Sequence, residues 1–227
     1  MHKTVEEIKK QFDSEQEYDK EIISILPEYN NMQLQSVKAI KTRKQNFSVL
    51  DLGIGTGKTT GLILKKFPSA KITGVDISKK MFSSAKKRLG KKHMQVLFIQ
   101  EDIAKYNPKE NYDLVIGVLA IHHLFKKDKK KVYKKIYGSL NKYGLFIIGD
   151  LIIGNTKKET IALETNWKKY LHKKFGVKTG NKWFKIYKEE DLPESIADHI
   201  NWLKNAGFKE AKCVWNKDNL AVIVGKK

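Results

Sequence analysis

The chain has 227 residues, 41% hydrophobic and 31% charged, with a formal net charge of +20. That length suits one α/β domain, and no apolar run approaches the roughly eighteen residues of a membrane-spanning helix, so no membrane partner is expected. The opening Met-His-Lys-Thr-Val-Glu-Glu lacks the apolar run of a secretory signal, and the single cysteine, Cys213, cannot form an internal disulfide and fits a reducing cytoplasm.

Taken in chain order, Val5, Ile8 and Phe12 recur at helical spacing. A second helix is predicted near residues 18–26, ended by Pro27, and a third from Asn31 to Lys44. Residues 1–44 therefore read as a helical cap. The stretch Ser48-Val-Leu-Asp-Leu-Gly-Ile-Gly-Thr-Gly57 then ends an apolar strand in Asp51 and the alternating glycines Gly53, Gly55 and Gly57. Two other phosphate loops fail here. A dinucleotide loop starting at Gly53 needs its third glycine at Lys58, and one starting at Gly55 needs it at Thr60. A P-loop ending in Gly57-Lys58-Thr59 needs glycine where Leu52 stands.

A crossover helix over Thr59–Phe67 leads to a second strand, Ala70–Val75, closed by Asp76. An acidic residue there suits the hydroxyls of a ribose. A third strand, Gln95–Gln100, is followed by Glu101-Asp102-Ile103, and a fourth, Tyr112–Val118, by Leu119-Ala-Ile-His-His-Leu124. The fifth, Tyr143–Ile148, runs to Asp150. Ligand-type residues at successive strand ends lie on one carboxyl edge, where open α/β sheets bind ligands. Residues 151–192 carry Trp167, Tyr170, Trp183, Phe184 and Tyr187 among lysines, without a strand pattern, and read as a lid insertion. A helix over Pro193–Ala206 stops at Gly207, and a hairpin of Phe208–Trp215 and Asn219–Val224 closes the chain. Cys213 falls in the first hairpin strand as a small core residue.

The D-x-G-x-G-x-G loop and the acidic strand ends that follow it resemble the class I S-adenosylmethionine (SAM) dependent methyltransferases. That resemblance implies a Rossmann-like, seven-stranded, mostly parallel sheet. It has an antiparallel last strand, helices on both faces and a helical lid. One domain is expected, with a cap at 1–44, a cofactor-binding core at 46–150, a lid at 151–192 and a terminal helix and hairpin at 193–227. It implies SAM as cofactor, with Asp51 accepting hydrogen bonds near its ammonium group, Asp76 on the ribose and Asp102 on the adenine. Phe12-Asp13, Tyr18-Asp19 and Leu26-Pro27-Glu28-Tyr29 also resemble the group that includes the carboxy-SAM synthase of tRNA wobble-uridine modification. By that likeness Tyr29 reaches the cofactor from the cap, and Gly53, Ile54, Gly55, Asp76, Ile77, Asp102, Ile103 and Val118 meet it from the sheet. Gly57, Met81 and Leu119 complete the implied set. The synthase's carboxylate-holding arginine is matched here by Trp202, which favours ordinary SAM as donor.

His122 and His123 are candidate bases, with one His beside the methionine moiety and the other capping the following helix. Asp150 is a candidate to orient the acceptor or to cap a helix. Neighbouring histidines are expected to diverge, and no Cys or carboxylate at ligand spacing accompanies them, so no metal is expected. The net charge raises a nucleic-acid partner, but only Arg43 and Arg88 of the 45 basic residues are arginines, and the lysine runs after the fourth strand read as a solvated face. The expected acceptor is a small molecule. An RNA-modifying or carboxy-SAM synthase-like enzyme and a non-catalytic SAM-binding protein are the alternatives. The oligomeric state is left open.

Overall fold

The computed structural model describes Glu7, residues 18–44 and residues 46–227. The expected helix around Val5, Ile8 and Phe12, and the Phe12-Asp13 motif, lie outside the described residues. Helix α1 (Tyr18–Ile25) and helix α2 (Tyr29–Lys38) precede strand β1 (Ser48–Leu52). Helix α3 (Lys58–Lys66) leads to β2 (Lys71–Asp76), helix α4 (Lys79–Leu89) to β3 (Val96–Gln100), and β4 (Tyr112–Val118) to helix α5 (Lys126–Ser139). Strand β5 (Leu140–Ile153) precedes a long helical stretch, α6 (Lys157–Glu190). The two-residue β6 (Glu194–Ser195), helix α7 (Ile196–Ala206), β7 (Glu210–Lys217) and β8 (Leu220–Lys226) follow.

The sheet order is β3-β2-β1-β4-β5-β8-β7, with β8 antiparallel to both neighbours. The expected seven strands form this path, and β6 adds a short parallel pairing to the end of β5. Strand alternation divides the core between two faces. Val49, Leu114, Ile116 and Ile147 join one cluster with residues of α2, α3 and α6. Leu50, Val115, Phe146 and Ile148 join the other with residues of α5 and α7. Both faces are thus buried, as a parallel sheet requires.

Three expectations change in detail. Helix α2 starts at Tyr29 and ends at Lys38, short of the expected Lys44. Strand β5 runs on to Ile153 because β8 and β6 pair with its end. The helix expected from Pro193 begins at Ile196, since Glu194 and Ser195 pair with β5 and Ser195 Oγ accepts a hydrogen bond from Asp198 N as the N-cap. Gly207 ends that helix in the left-handed conformation, as expected. Cys213 lies half-buried in β7.

Within the segment 151–192 expected as a lid, residues 157–190 are the helical stretch. Thr156 and Glu159 form a reciprocal capping box at its start, and Gly176 (φ 78°, ψ 163°) breaks it into two helices. Trp167 Nε1 donates to Ile25 O at 2.9 Å and Tyr170 Oη to Ser24 O at 2.8 Å, tying the first half of α6 to α1. Helix α1 is in turn pinned over the glycine loop. Thr56 Oγ1 donates to Asp19 Oδ1 at 3.0 Å, and Arg88 bridges Asp19 and Thr56 O. No described helix is long and apolar enough to cross a membrane.

Candidate active site

The chain leaves β1 through Gly53, Gly55 and Gly57, all at positive φ (70°, 52° and 75°), a conformation that side chains rarely adopt. A Cβ on Gly53 would lie 2.6 Å from Cβ of Ala120, so only glycine lets the loop rest on the segment after β4. Gly53 N and Ile54 N donate to Val75 O at 2.8 and 3.1 Å. Asp76 braces the turn: its Oδ2 accepts from Gly55 N at 2.8 Å and its Oδ1 from Ser78 N at 2.9 Å.

Above this loop opens a cavity of about 930 Å³. Gly53, Ile54 and Gly55 form its floor. Asp76, Ile77 and Met81 come from the β2 edge, Asp102 and Ile103 from the end of β3, and Val118 and Leu119 from the end of β4. Tyr29 adds a wall from α2. Burial pushes the Tyr29 hydroxyl up to about 12, so it stays protonated. These eleven residues, scattered in sequence, are brought together because the parallel strands β1, β2, β3 and β4 end on the same edge and α2 packs beside it.

Two residues of the expected set stand outside this wall. Asp51 shares the Val49 face of β1, beneath α3, where Thr60 Oγ1 donates to its Oδ2 at 2.6 Å. It is 1% exposed, and burial pushes its carboxyl up to about 7. Asp51 thus sits beneath the loop, bonded to Thr60, and does not line the cavity. Gly57 lies against Ala85, where a Cβ would come within 3.1 Å of the alanine Cβ. Sequence reasoning missed Gln33, Lys58 and Thr59, which do line the cavity. Thr59 Oγ1 donates to Gln33 Oε1 at 2.6 Å, and Lys58 Nζ stands 4.3 Å from the Tyr29 ring centroid. Only the start of α3, Lys58-Thr59, carried a signal for them, and its partners on α2 follow from tertiary packing.

A second cavity, about 700 Å³, shares Tyr18, Leu119 and His123 with the first. Leu119 holds φ 50°, unusual for a leucine, and its N–H donates to Gly149 O at 2.8 Å. The lid contributes Trp167, Trp183, Tyr187, Glu190 and Asp191. Asp191 is the main residue missed from sequence. It lies at the end of α6, far from the histidines in the chain, and Leu192 N brings it to them by donating to His122 O at 2.9 Å.

The histidines do not diverge as expected. Their ring centroids are 4.0 Å apart, and one donor atom from each of His122, His123 and Asp191 lies within 4.8 Å of the others. Nor does either side chain cap α5, whose N-cap is Phe125 with no side-chain bond. Asp150 lines neither cavity. Its Oδ1 is hydrogen-bonded to His122 Nδ1 and its Oδ2 accepts from His122 N at 2.9 Å, so it fixes that ring instead of facing an acceptor. On the other side His122 Nε2 stands 3.5 Å from Asp191 Oδ1. Burial opposes a charge on His122, but Asp150 and Asp191 outweigh it and raise its pKa. Carboxylates at both nitrogens favour a protonated ring over one offering a lone pair to a metal ion. His123 is the reverse case. Burial and then the charge of His122 lower its pKa well below the ordinary value, leaving it neutral. Burial raises Asp191 to about 6 despite His122.

Trp202 lies away from both cavities, buried with Tyr133 and His199 beneath α5. Neither Arg43 nor Arg88 lines either cavity.

Residues 49–144 match the family described as Methyltransferase domain. The chain is 27% identical to a carboxy-S-adenosyl-L-methionine synthase of Nautilia profundicola, covering 97% of this chain and 96% of that one. It is 37% identical to malonyl-[acyl-carrier protein] O-methyltransferase 1 of Ilyobacter polytropus over 44% of this chain and 36% of that one. Its fold matches the solved DhpI–SAM–HEP complex at a TM-score of 0.71 and 14% identity, over 100% and 99% of the two chains. Against SibL the TM-score is 0.62 at 16% identity, and this chain covers 87% of itself but only 53% of that longer protein. The glycine floor that admits no Cβ at Gly53, with carboxylates on the ends of β2 and β3, fits the flat, hydroxyl-bearing adenosyl cofactor of such enzymes. With its sheet order and its glycine loop, the chain has the fold of the class I SAM-dependent methyltransferases, and its residues 49–144 match the methyltransferase domain.

Proposed function

We propose that the chain transfers the methyl group of SAM to a small-molecule acceptor held in the second cavity. The observation that carries this reading is the shared wall of Tyr18, Leu119 and His123, which sets a second, partly open compartment directly beside the glycine-floored one. Bound in the first cavity, SAM supplies a methyl group on a cationic sulfur, which keeps the C–S bonding pair as the acceptor's lone pair takes the carbon. Asp76 holds the ribose hydroxyls, Asp102 the adenine amino group, and Ile77, Met81 and Ile103 pack about the base. Tyr29 closes the compartment from α2.

Two features of the second cavity suit methyl transfer to a group that carries a proton. His123 is neutral, so it adds no positive charge where a cationic sulfur must sit. Asp191, with a pKa of about 6, is ionised at neutral pH yet basic enough to take a proton. A base must be unprotonated to work, so the rate is expected to rise with pH through about 6. The full-length likeness to a carboxy-SAM synthase favours a second reading, a carboxylated cofactor. No arginine lines the first cavity to hold an extra carboxylate, which supports ordinary SAM.

The experiment is to incubate the chain with methyl-labelled SAM and either dialysable metabolites or total RNA. Label is expected in the metabolites. Asp191→Asn is expected to lower kcat about 100-fold and remove the rise through pH 6, with SAM affinity unchanged in calorimetry. Label found in RNA, or an Asp191→Asn variant with unaltered kcat and pH profile, would overturn the proposal.

A further inference from the structure

One part of the cofactor still lacks a holder in the first cavity. Asp51, expected near its amino-acid tail, is bonded to Thr60 beneath the loop and does not line the cavity. The sheet order gives the direction that the tail must take. Adenine at the end of β3 and ribose at the end of β2 set the cofactor running toward β1, the next strand. Beyond β1 lie the glycine loop and the start of α3. At that end the wall presents Tyr29, Gln33, Lys58 and Thr59 in place of the acids Asp76 and Asp102.

These side chains hold one another in place. Tyr29 and Gln33 are each 3% exposed, and Gln33 Oε1 accepts from Thr59 Oγ1 at 2.6 Å. Lys58 Nζ donates to Asn30 Oδ1 and stands 4.3 Å from the Tyr29 ring centroid, which steadies the ammonium over the ring face. Both partners are neutral, and an ammonium has two further N–H groups to give. Asp19 acts on Lys58 from nearby, but its carboxylate is already shared by Arg88 and Thr56. Burial lowers the Lys58 pKa, so a full negative charge is the partner that gains most from it. Lys58 is also the first residue of α3, whose N-cap Gly57 brings no capping side chain, and the N–H groups there add partial positive charge at the same place. A carboxylate at the other end would be repelled by Asp76 and Asp102. We propose that Lys58 binds the carboxylate of the cofactor's amino-acid tail and makes the first cavity selective for ligands that carry it. This rests on the reading of that cavity as the cofactor compartment, and it assigns the end that the expected Asp51 does not reach.

The test is a binding measurement that needs no turnover. Two ligands that differ only in this carboxylate, S-adenosylhomocysteine and its decarboxylated form S-adenosyl-3-thiopropylamine, are titrated into the full chain in a calorimeter. The unaltered protein is expected to bind S-adenosylhomocysteine at least about tenfold more tightly than the amine, with the preference shrinking as salt rises. Lys58→Met is expected to weaken S-adenosylhomocysteine about tenfold and to leave the amine within about twofold, so that the preference collapses. Lys58→Arg keeps the positive charge and is expected to keep most of the preference. The same collapse is expected of Lys58→Gln, which can still bond Asn30, so the comparison stands even if the methionine variant folds poorly. Equal binding of the two ligands by the unaltered protein, or an undiminished preference in Lys58→Met or Lys58→Gln, would overturn the inference. Failure of both ligands to bind the unaltered protein would instead strike the assignment of the first cavity to the cofactor.

Discussion

A single buried carboxyl illustrates how the sheet assigns roles to residues. Asp51 lies in the strand that leads into the glycine loop, yet its side chain sits under α3 and its pKa is raised to about 7 by burial. The unfolded chain ionises this group near 3.8, while the folded chain resists ionisation up to about 7. Its contribution to stability is therefore full below the unfolded pKa and lost as pH rises through the folded one. Asp51→Asn is expected to stabilise the ligand-free protein by about 3–4 kcal/mol at pH 8 and not at all near pH 4, read from denaturant midpoints at the two pH values. An equal shift at both values would remove the assigned cause. The sequence made Asp51 visible as an acidic strand end, but only its face on β1 decides whether it meets the cavity or supports it. Asp76, one strand over, keeps its carboxylate at the cavity and on Gly55 N.

At the scale of elements, α1 and α6 are tied to one another and, through α1, to the glycine loop. Helix α1 is pinned to the glycine loop through Asp19, Thr56 and Arg88, and α6 is pinned to α1 through Trp167 and Tyr170. The lid's two halves meet at Gly176, whose φ 78° and ψ 163° are open to glycine almost alone. No other atom lies within 4 Å of where a Cβ would sit there, so the cost of a side chain is purely conformational. Gly176→Ala is expected to cost about 1–3 kcal/mol, seen as faster amide exchange across residues 157–190 while the strands stay protected. Uniform loss of protection over the sheet would place the effect elsewhere. The aromatic content of 151–192 marked a lid in the sequence. Its helical form was less legible, because its apolar residues face α1 and the second cavity in turn and so follow no single stripe.

On the scale of the whole molecule, binding in the first cavity is coupled to folding. A ligand held by the loop, β2, β3, β4 and α2 binds only the folded chain and must raise its melting temperature. S-adenosylhomocysteine at a hundred times its dissociation constant is expected to add about 2.7 kcal/mol, or roughly 5–10 °C for a chain of this size, in a thermal melt. The sequence by itself determined the alternating strand and helix order, the glycine loop and the acidic residues at successive strand ends. These are local matters of backbone freedom and of the period-two pattern of buried strands. Only tertiary structure decided that Asp51 lies beneath the loop, that Asp150 clamps His122, and that Asp191 from the far end of the lid completes the second compartment. Such outcomes depend on which side of the sheet a residue faces and on which distant segment packs over it, and neither is carried by a residue's neighbours in the chain.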